Sequence, residues 1–290
     1  MNEVRLLSTA DIPAGMRLKE AAGWNQTASD WQRVLALQPD GCFAIEREGQ
    51  VRATTTAVCF GKELAWVGMV LTDAQYRGRG FARQLMGHAV AYLRRKSIAW
   101  IKLDATDMGR PLYERLGFRK QGTVERWIRP AGVVPQSTGA VGRFDLDTAL
   151  DRQAFGADRS GLLRVLANVE SASIVGMGFA MGRPGARAAF FGPCVARSVD
   201  AARELLAWFL EKHQQESVYW DILLANSDAV ALARAFGFEP VRRLARMALA
   251  GVENPPALRN DDAPVYAAAG FEFGYGPRDG RASANWPPVA

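Results

Sequence analysis

Histidine, cysteine and lysine are scarce in this 290-residue chain, which has two histidines, three cysteines and six lysines. His88 and His213 both lie within helical patterns, which argues against a histidine-centred metal site or catalytic triad. Cys42, Cys59 and Cys194 are dispersed, odd in number and free of any C-x-x-C pair, so neither a disulfide framework nor a zinc site is expected. Each sits in or beside an apolar stretch and reads as a small buried side chain. No metal is expected. Long apolar runs are missing as well: none approaches the roughly 18 residues of a membrane span. The N-terminus "MNEVRLLSTADIP" lacks a signal core, so the expected compartment is a reducing cytoplasm with no membrane partner.

What is present is arginine. The net charge is +6 and nearly half the residues are hydrophobic, which suits a globular protein with an anionic partner. Nucleic acid is not that partner: a basic stripe with interleaved exposed aromatics is absent. The length suggests two domains. "EVRLLS" reads as a strand, 12–22 and 28–37 as helices, and 43–73 as three strands turning at Glu48-Gly49-Gln50 and Gly61-Lys62. An amphipathic helix spans 82–95, with Leu85, Ala89, Val90 and Leu93 at helical spacing. "IAWIKLDAT" is a strand, "DMGRPLYERLGF" a helix stopped at Gly117, and "RKQGTVERWIR" a further strand. Residues 131–142, rich in Pro, Gly and small polar side chains, form a linker between domains 1–130 and 143–290. "PVYAAAGFEFGYG" suits a closing strand, and from about 277 the chain reads as a loose tail.

A shift of 120 residues aligns "FARQLMGHAV" (81–90) with "AARELLAWFL" (201–210), and "LDATDMGRPLYERLGF" (103–118) with "LLANSDAVALARAFGF" (223–238). One offset serves two separated elements, so the fold is duplicated.

Chemistry concentrates at "QYRGRGFARQL", residues 75–85, between a strand and a helix. Glycines there let backbone N–H groups approach a ligand, and the helix N-terminus favours an anion. Arg77, Arg79 and Arg83 add positive charge. A P-loop is ruled out because no G-K-[ST] follows, and a dinucleotide fingerprint lacks its third glycine.

The Gln75-x-x-Gly78-x-Gly80 pattern, with "PLYERLGF" downstream, resembles the acetyl-CoA site of the GNAT N-acetyltransferase superfamily. "AAGWNQTASDW", "DRQAFGADRSGLLRVL", "GRPG" and "FGPCVA" are similar to a bacterial subgroup with two such domains in tandem. The resemblance implies an α/β (α+β) fold in which each domain has a mixed, mostly antiparallel sheet flanked by helices. It implies that Val70, Leu71 and Thr72 pair with the pantetheine arm of acetyl-CoA. Amides from Arg77, Gly78, Arg79, Gly80, Phe81 and Ala82 would hold the pyrophosphate, and Tyr113 would be the general acid. Thr106 stands where the family usually has Asn. The base stays open between Asp104 and Asp73, each of which reads first as a capping or solvated carboxylate. Trp24, Asn25 and Trp31 are candidates for the acceptor wall, with core packing as the alternative for the tryptophans.

The second half has no glycine between Gly192 and Gly237, and Ala233 replaces Tyr113 in the repeat, so it is expected to be catalytically silent. Its junction reads about four residues shorter. Covering the acceptor cleft, forming a homodimer or binding its own ligand are its open roles. The expected activity is acetyl transfer from acetyl-CoA to a primary amine of a small molecule by direct attack in a ternary complex. The alternatives are a non-catalytic acyl-CoA-binding regulatory module and an enzyme acting on a protein or peptide amine.

Overall fold

The structure is a computed structural model that describes residues 3–134, 136–258 and 260–273, and the tail expected from about 277 lies outside them. The first half runs β1 (Val4–Leu6), α1 (Ile12–Ala21), α2 (Ala28–Leu37), β2 (Cys42–Arg47), β3 (Gln50–Phe60), β4 (Leu64–Thr72), α3 (Phe81–Arg95), β5 (Trp100–Ala105), α4 (Arg110–Arg115) and β6 (Arg119–Arg129). The second half repeats this order from the first helix onward and adds a final strand: α5 (Thr148–Phe155), α6 (Ser160–Ala167), β7 (Glu170–Ile174), β8 (Gly178–Arg183), β9 (Ala189–Ala196), α7 (Val199–Lys212), β10 (Val218–Leu223), α8 (Ser227–Ala235), β11 (Glu239–Ala250) and β12 (Val265–Ala267).

Local chemistry explains several boundaries. Helix α2 starts at a capping box, in which Thr27 Oγ1 accepts from the Asp30 amide at 3.4 Å and Asp30 Oδ2 from the Thr27 amide at 2.8 Å. The β2–β3 hairpin turns through Glu48 and Gly49, both at positive φ (55° and 70°), the conformation of a type I′ turn. Helix α3 begins only where Gly80 supplies a left-handed residue as its cap.

The two halves do not build separate sheets. One sheet runs β1-β2-β3-β4-β5-β11-β6-β10-β9-β8-β7, with β12 added on β9. The last long strands have changed places: β11 of the second half pairs with β5, and β6 of the first half pairs with β10. The division at 130 read from composition therefore falls at the end of a strand already embedded among strands of the second half.

Each central seam carries an ion pair. Asp104 of β5 opposes Arg246 of β11, Glu125 of β6 opposes Arg243 of β11, and Arg126 of β6 opposes Asp221 of β10. Their contacts include 2.8 Å for Arg246–Asp104, 2.7 Å for Arg243 Nε to Glu125, and 2.7 Å for Arg126–Asp221. A one-residue slip would send every side chain to the opposite face and strand buried charges without partners, so these pairs specify the register. The outermost strands β1 and β7 are short, which limits the unpaired edge the sheet exposes.

One core lies under the helices α1, α2, α5 and α6 and mixes both halves: Trp31, Val34 and Trp66 pack with Phe155, Leu163 and Phe179. On the other face α3 and α4 cover the first half, with Phe81, Leu85 and Tyr113 buried. Helices α7 and α8 cover the second, over Phe191, Phe209 and Trp220.

Candidate active site

Strands β4 and β5 run parallel, joined through the crossover helix α3, and pair only from Leu64–Trp66 to Trp100–Lys102. Beyond that point they diverge, while β4 stays paired with β3 on its other edge up to Thr72. The β5-facing edge at Val70, Leu71 and Thr72 is thereby left without a partner strand among the described residues. The β3–β4 ladder shifts register between Thr54 and Thr56. There Met69 takes φ 48°, and Thr54 Oγ1 donates to the Met69 carbonyl at 2.8 Å. A positive φ on methionine is uncommon and costs about 1 kcal/mol or more. Here it belongs to a bulge that turns main-chain groups of β4 toward the gap.

The glycine loop closes the wide end of this gap. Asp73 ends β4, caps the Gln75 amide at 3.1 Å and pairs with Arg52 at 3.0 Å. Burial works to raise its pKa, but the Gln75 amide and Arg52 outweigh it and leave the carboxyl below its ordinary range. Tyr76 anchors the loop: its ring lies between the guanidinium groups of Arg52 (4.6 Å) and Arg79 (4.7 Å), and its hydroxyl donates to Glu48 at 2.8 Å. Gly78 and Gly80 stand at φ 77° and 83°, where a side chain would be strained. Arg77, Arg79 and Arg83 are exposed around the start of α3, whose first amides have no partner within the helix. Gln75, Arg77, Gly78, Arg79, Gly80, Phe81 and Ala82 thus form one segment beside the open edge of β4. Its fit to a pyrophosphate-bearing substrate rests on those amides, the left-handed glycines and the three arginines.

Tyr113 projects from α4 into the cleft lined also by Gly68, Met69, Val70, Leu103, Asp104 and Thr106. Its ring is buried against Phe118, edge to face at 6.1 Å, and burial pushes the phenol well above its usual pKa. The hydroxyl therefore stays protonated through the neutral range. Thr106, standing in for the family's Asn, accepts from the Gly109 amide at 3.2 Å.

Two candidate residues fall elsewhere. Trp31 has no accessible surface and packs beneath Gly15, so it belongs to the core and not to an acceptor wall. Asn25 commits its side chain to the β8–β9 turn: Nδ2 donates to the Ala188 carbonyl at 3.0 Å, and Oδ1 accepts from the Arg187 amide at 2.9 Å. It docks one half on the other. Trp24 does line the cleft. Both candidate bases are engaged. Asp73 is a cap and an ion-pair partner, and both oxygens of Asp104 accept from Arg246 at 2.8 Å. Burial raises the Asp104 pKa while Arg246 pulls it back.

The second half also contributes to the cleft, with Arg242 and Leu244 on β11 and Phe271 and Glu272 after β12. Trp66 Nε1 donates to the Phe271 carbonyl at 2.9 Å, and Glu272 accepts from Gln26 at 2.7 Å and pairs with Arg183. None of these was legible as a site residue, because the repeat assigns β11 to the other domain. The one trace in the sequence is the three arginines, 242, 243 and 246, in "VRRLARMALA", unusual for a strand otherwise apolar.

The second half has the same parallel pairing, Ala189–Phe191 of β9 with Val218–Trp220 of β10. Its strand-to-helix junction is only Arg197 and Ser198, against residues 73–80 in the first half, a larger contraction than the sequence alignment indicated. Its gap is filled by the chain itself. Strand β12 pairs with Cys194 and Val195 of β9. Tyr266 offers its carbonyl to Trp220 Nε1 at 2.8 Å, and the Ala268 amide donates to the Asp221 carbonyl at 3.0 Å.

Comparisons with known proteins agree with this geometry. Two family models, each described as an acetyltransferase (GNAT) domain, match residues 38–120 and 148–267. The uncharacterized N-acetyltransferase YitH of Bacillus subtilis is 26% identical over 224 residues, 71% of this chain and 77% of its own length. A glucosamine 6-phosphate N-acetyltransferase of Trypanosoma brucei brucei is 26% identical over 113 residues, 39% of this chain and 76% of its own. In fold, a Pyrococcus horikoshii protein assigned as an acetyltransferase superposes with a TM-score of 0.81 at 21% identity, covering 94% of this chain and 95% of that one.

Proposed function

The chain belongs to the GNAT acetyltransferases, with two domains of that family in tandem, and from this premise we propose that its first half moves an acetyl group from acetyl-CoA to a primary amine of a small molecule. The observation that carries the reading is the open gap between β4 and β5, with the glycine loop at one end and the Tyr113 hydroxyl facing it. Main-chain groups of Val70, Leu71 and Thr72 bind the pantetheine arm as an added strand, and the segment Gln75–Ala82 holds the pyrophosphate. When bound, acetyl-CoA supplies an activated thioester. An N–H of the β4 bulge donates to the oxyanion that forms when the amine attacks. Tyr113, still protonated at neutral pH, donates a hydrogen bond and then its proton to the sulfur as the carbon–sulfur bond breaks, and the proton shed by the attacking nitrogen returns through water to the phenolate.

Direct attack in a ternary complex is supported by the thiols. Burial pushes Cys42 to about 12 and Cys59 to about 11, and neither lines the cleft, so neither suits an acyl carrier. The small, enclosed shape of the cleft between Trp24, Leu244 and Phe271 favours a small acceptor over a protein segment, and the Trypanosoma relative is named for a small amino sugar. Asp73 and Asp104 are not proposed as bases, since a cap and an Arg fork already engage their oxygens. The second half holds no cofactor and serves the first as a wall. A regulatory module that merely binds acyl-CoA would have no use for a phenol aimed at the thioester.

The test is Tyr113→Phe, which keeps the ring packing against Phe118. Turnover of acetyl-CoA over a library of amines, followed by free thiol, is expected to fall by about 100-fold or more, with acetyl-CoA binding retained. Turnover at the wild-type rate would remove the acid assignment, and absence of any amine-dependent thiol release from the wild type would favour the regulatory module.

A further inference from the structure

We propose that Arg242, delivered by β11 of the second half, binds an anionic group, a carboxylate or a phosphate, on the acceptor amine. The inference rests on the acetyl-transfer reading of the cleft and names the class of its acceptor.

Four charged side chains line the cleft: Asp104, Arg126, Arg242 and Glu272. Three are already matched. Asp104 takes both bonds of the Arg246 fork, Arg126 binds Asp221 at 2.7 and 2.8 Å, and Glu272 is held by Arg183 and Gln26. Arg242 has no hydrogen-bond or ionic partner among the described residues. It lies directly across the β11–β6 ladder from Arg126, just past an irregularity between Pro240 and Arg242 of the kind that re-aims a side chain. Like charges facing each other across strands are unfavourable. Here two guanidinium groups stand abreast and the carboxylate beside them, Asp221, is spent on one. Burial, then Arg126, and further off the exposed Arg187, hold the Arg242 pKa below its usual value, while Tyr219 and Asp221 oppose them. An incoming anion would relieve this imbalance, and a planar guanidinium grips carboxylate or phosphate through two parallel bonds. Trp24 and Phe271 flank the same space, so the amine end can reach the Met69 bulge and Tyr113 while the anion stays with Arg242.

Matched acceptors test this on the full-length protein with acetyl-CoA: phosphoethanolamine against ethanolamine, and an α-amino acid against its amide, each followed by thiol release and by calorimetric binding. The wild type is expected to favour the anionic member in kcat/KM by about tenfold or more. Arg242→Gln should bring that ratio near one, and Arg242→Glu below one. The two pairs distinguish a phosphate from a carboxylate. Equal use of both members by the wild type, or a preference that survives Arg242→Gln, overturns the proposal. The two readings fail separately. Selective binding lost in Arg242→Gln without any thiol release refutes acetyl transfer and upholds the anion site, whereas unselective release does the reverse.

Discussion

The gap between β4 and β5 and the gap between β9 and β10 are the same feature made twice, and they ended differently. Each begins as a short parallel pairing below a crossover helix. In the first half β4 carries a bulge at Met69 and the glycine loop follows, so the edge stays open and an anion can be held at its end. In the second half the loop is gone and β12 fills the opening. Asn226, the N-cap of α8, falls on Thr106 of the first half in the 120-residue repeat. It now holds that plug, with Nδ2 donating to the carbonyls of Ala263 at 3.1 Å and Val265 at 2.7 Å. The lesson is that a duplicated domain kept its architecture while its own chain came to fill the gap that stays open in the other copy. The chain leaving the plug then passes into the first half's cleft as Phe271 and Glu272, so the filled gap anchors a wall of the open one.

Three perturbations would break or sharpen this contrast. The largest effect is expected from Arg183→Met. Arg183 binds Asp30 of α2 at 3.2 Å and also Glu272, tying the C-terminal segment to the first half. Removing it leaves the buried Glu272 carboxylate with Gln26 but no cation, while Asp30 keeps Arg33, and urea unfolding should show a loss of about 3–5 kcal/mol; a loss below about 1 kcal/mol would mean the segment is held by its backbone alone.

Asn226→Ala removes the cap on Ala229, accepted at 2.9 Å, together with both bonds to the plug. The expected loss is about 2 kcal/mol, with calorimetry still counting one acetyl-CoA per chain. A second equivalent would show that β12 alone had been closing a competent site.

The smallest effect is one of pH and belongs only to the second half. His213 contacts Glu170 at 2.9 Å and Glu216 at 2.7 Å. Burial lowers its pKa, but the two carboxylates outweigh this and raise it above the ordinary histidine value. A raised folded-state pKa contributes stability in full below about 6.5, and that contribution is lost as pH rises through the higher folded value. The wild type should therefore lose about 0.5 kcal/mol relative to His213→Gln between pH 6 and 8, after allowance for screening by solvent. A difference independent of pH would place the pair's contribution in packing instead.

Much of this was written locally. The strands, helices and duplication followed from spacing, and the loop announced itself because left-handed φ demands glycine at Gly78 and Gly80. Trp31 and Asn25 misled for a definite reason: tryptophan and asparagine near a cleft look alike in sequence whether they face ligand, core or a neighbouring domain. Arg242 went unseen because its meaning depends on which strand lies beside β11.

By itself, then, the sequence determined the elements, their repetition, the glycine-arginine loop and the phenol at position 113, all of which arise from contacts close along the chain. Tertiary structure alone decided that β6 and β11 change places, that β12 occupies the second gap, and that one half walls the candidate cleft of the other. Those outcomes hang on pairings between residues over a hundred positions apart, such as Asp104 with Arg246. Backbone hydrogen bonds would serve either neighbour equally well; buried charge admits only the one that brings its partner.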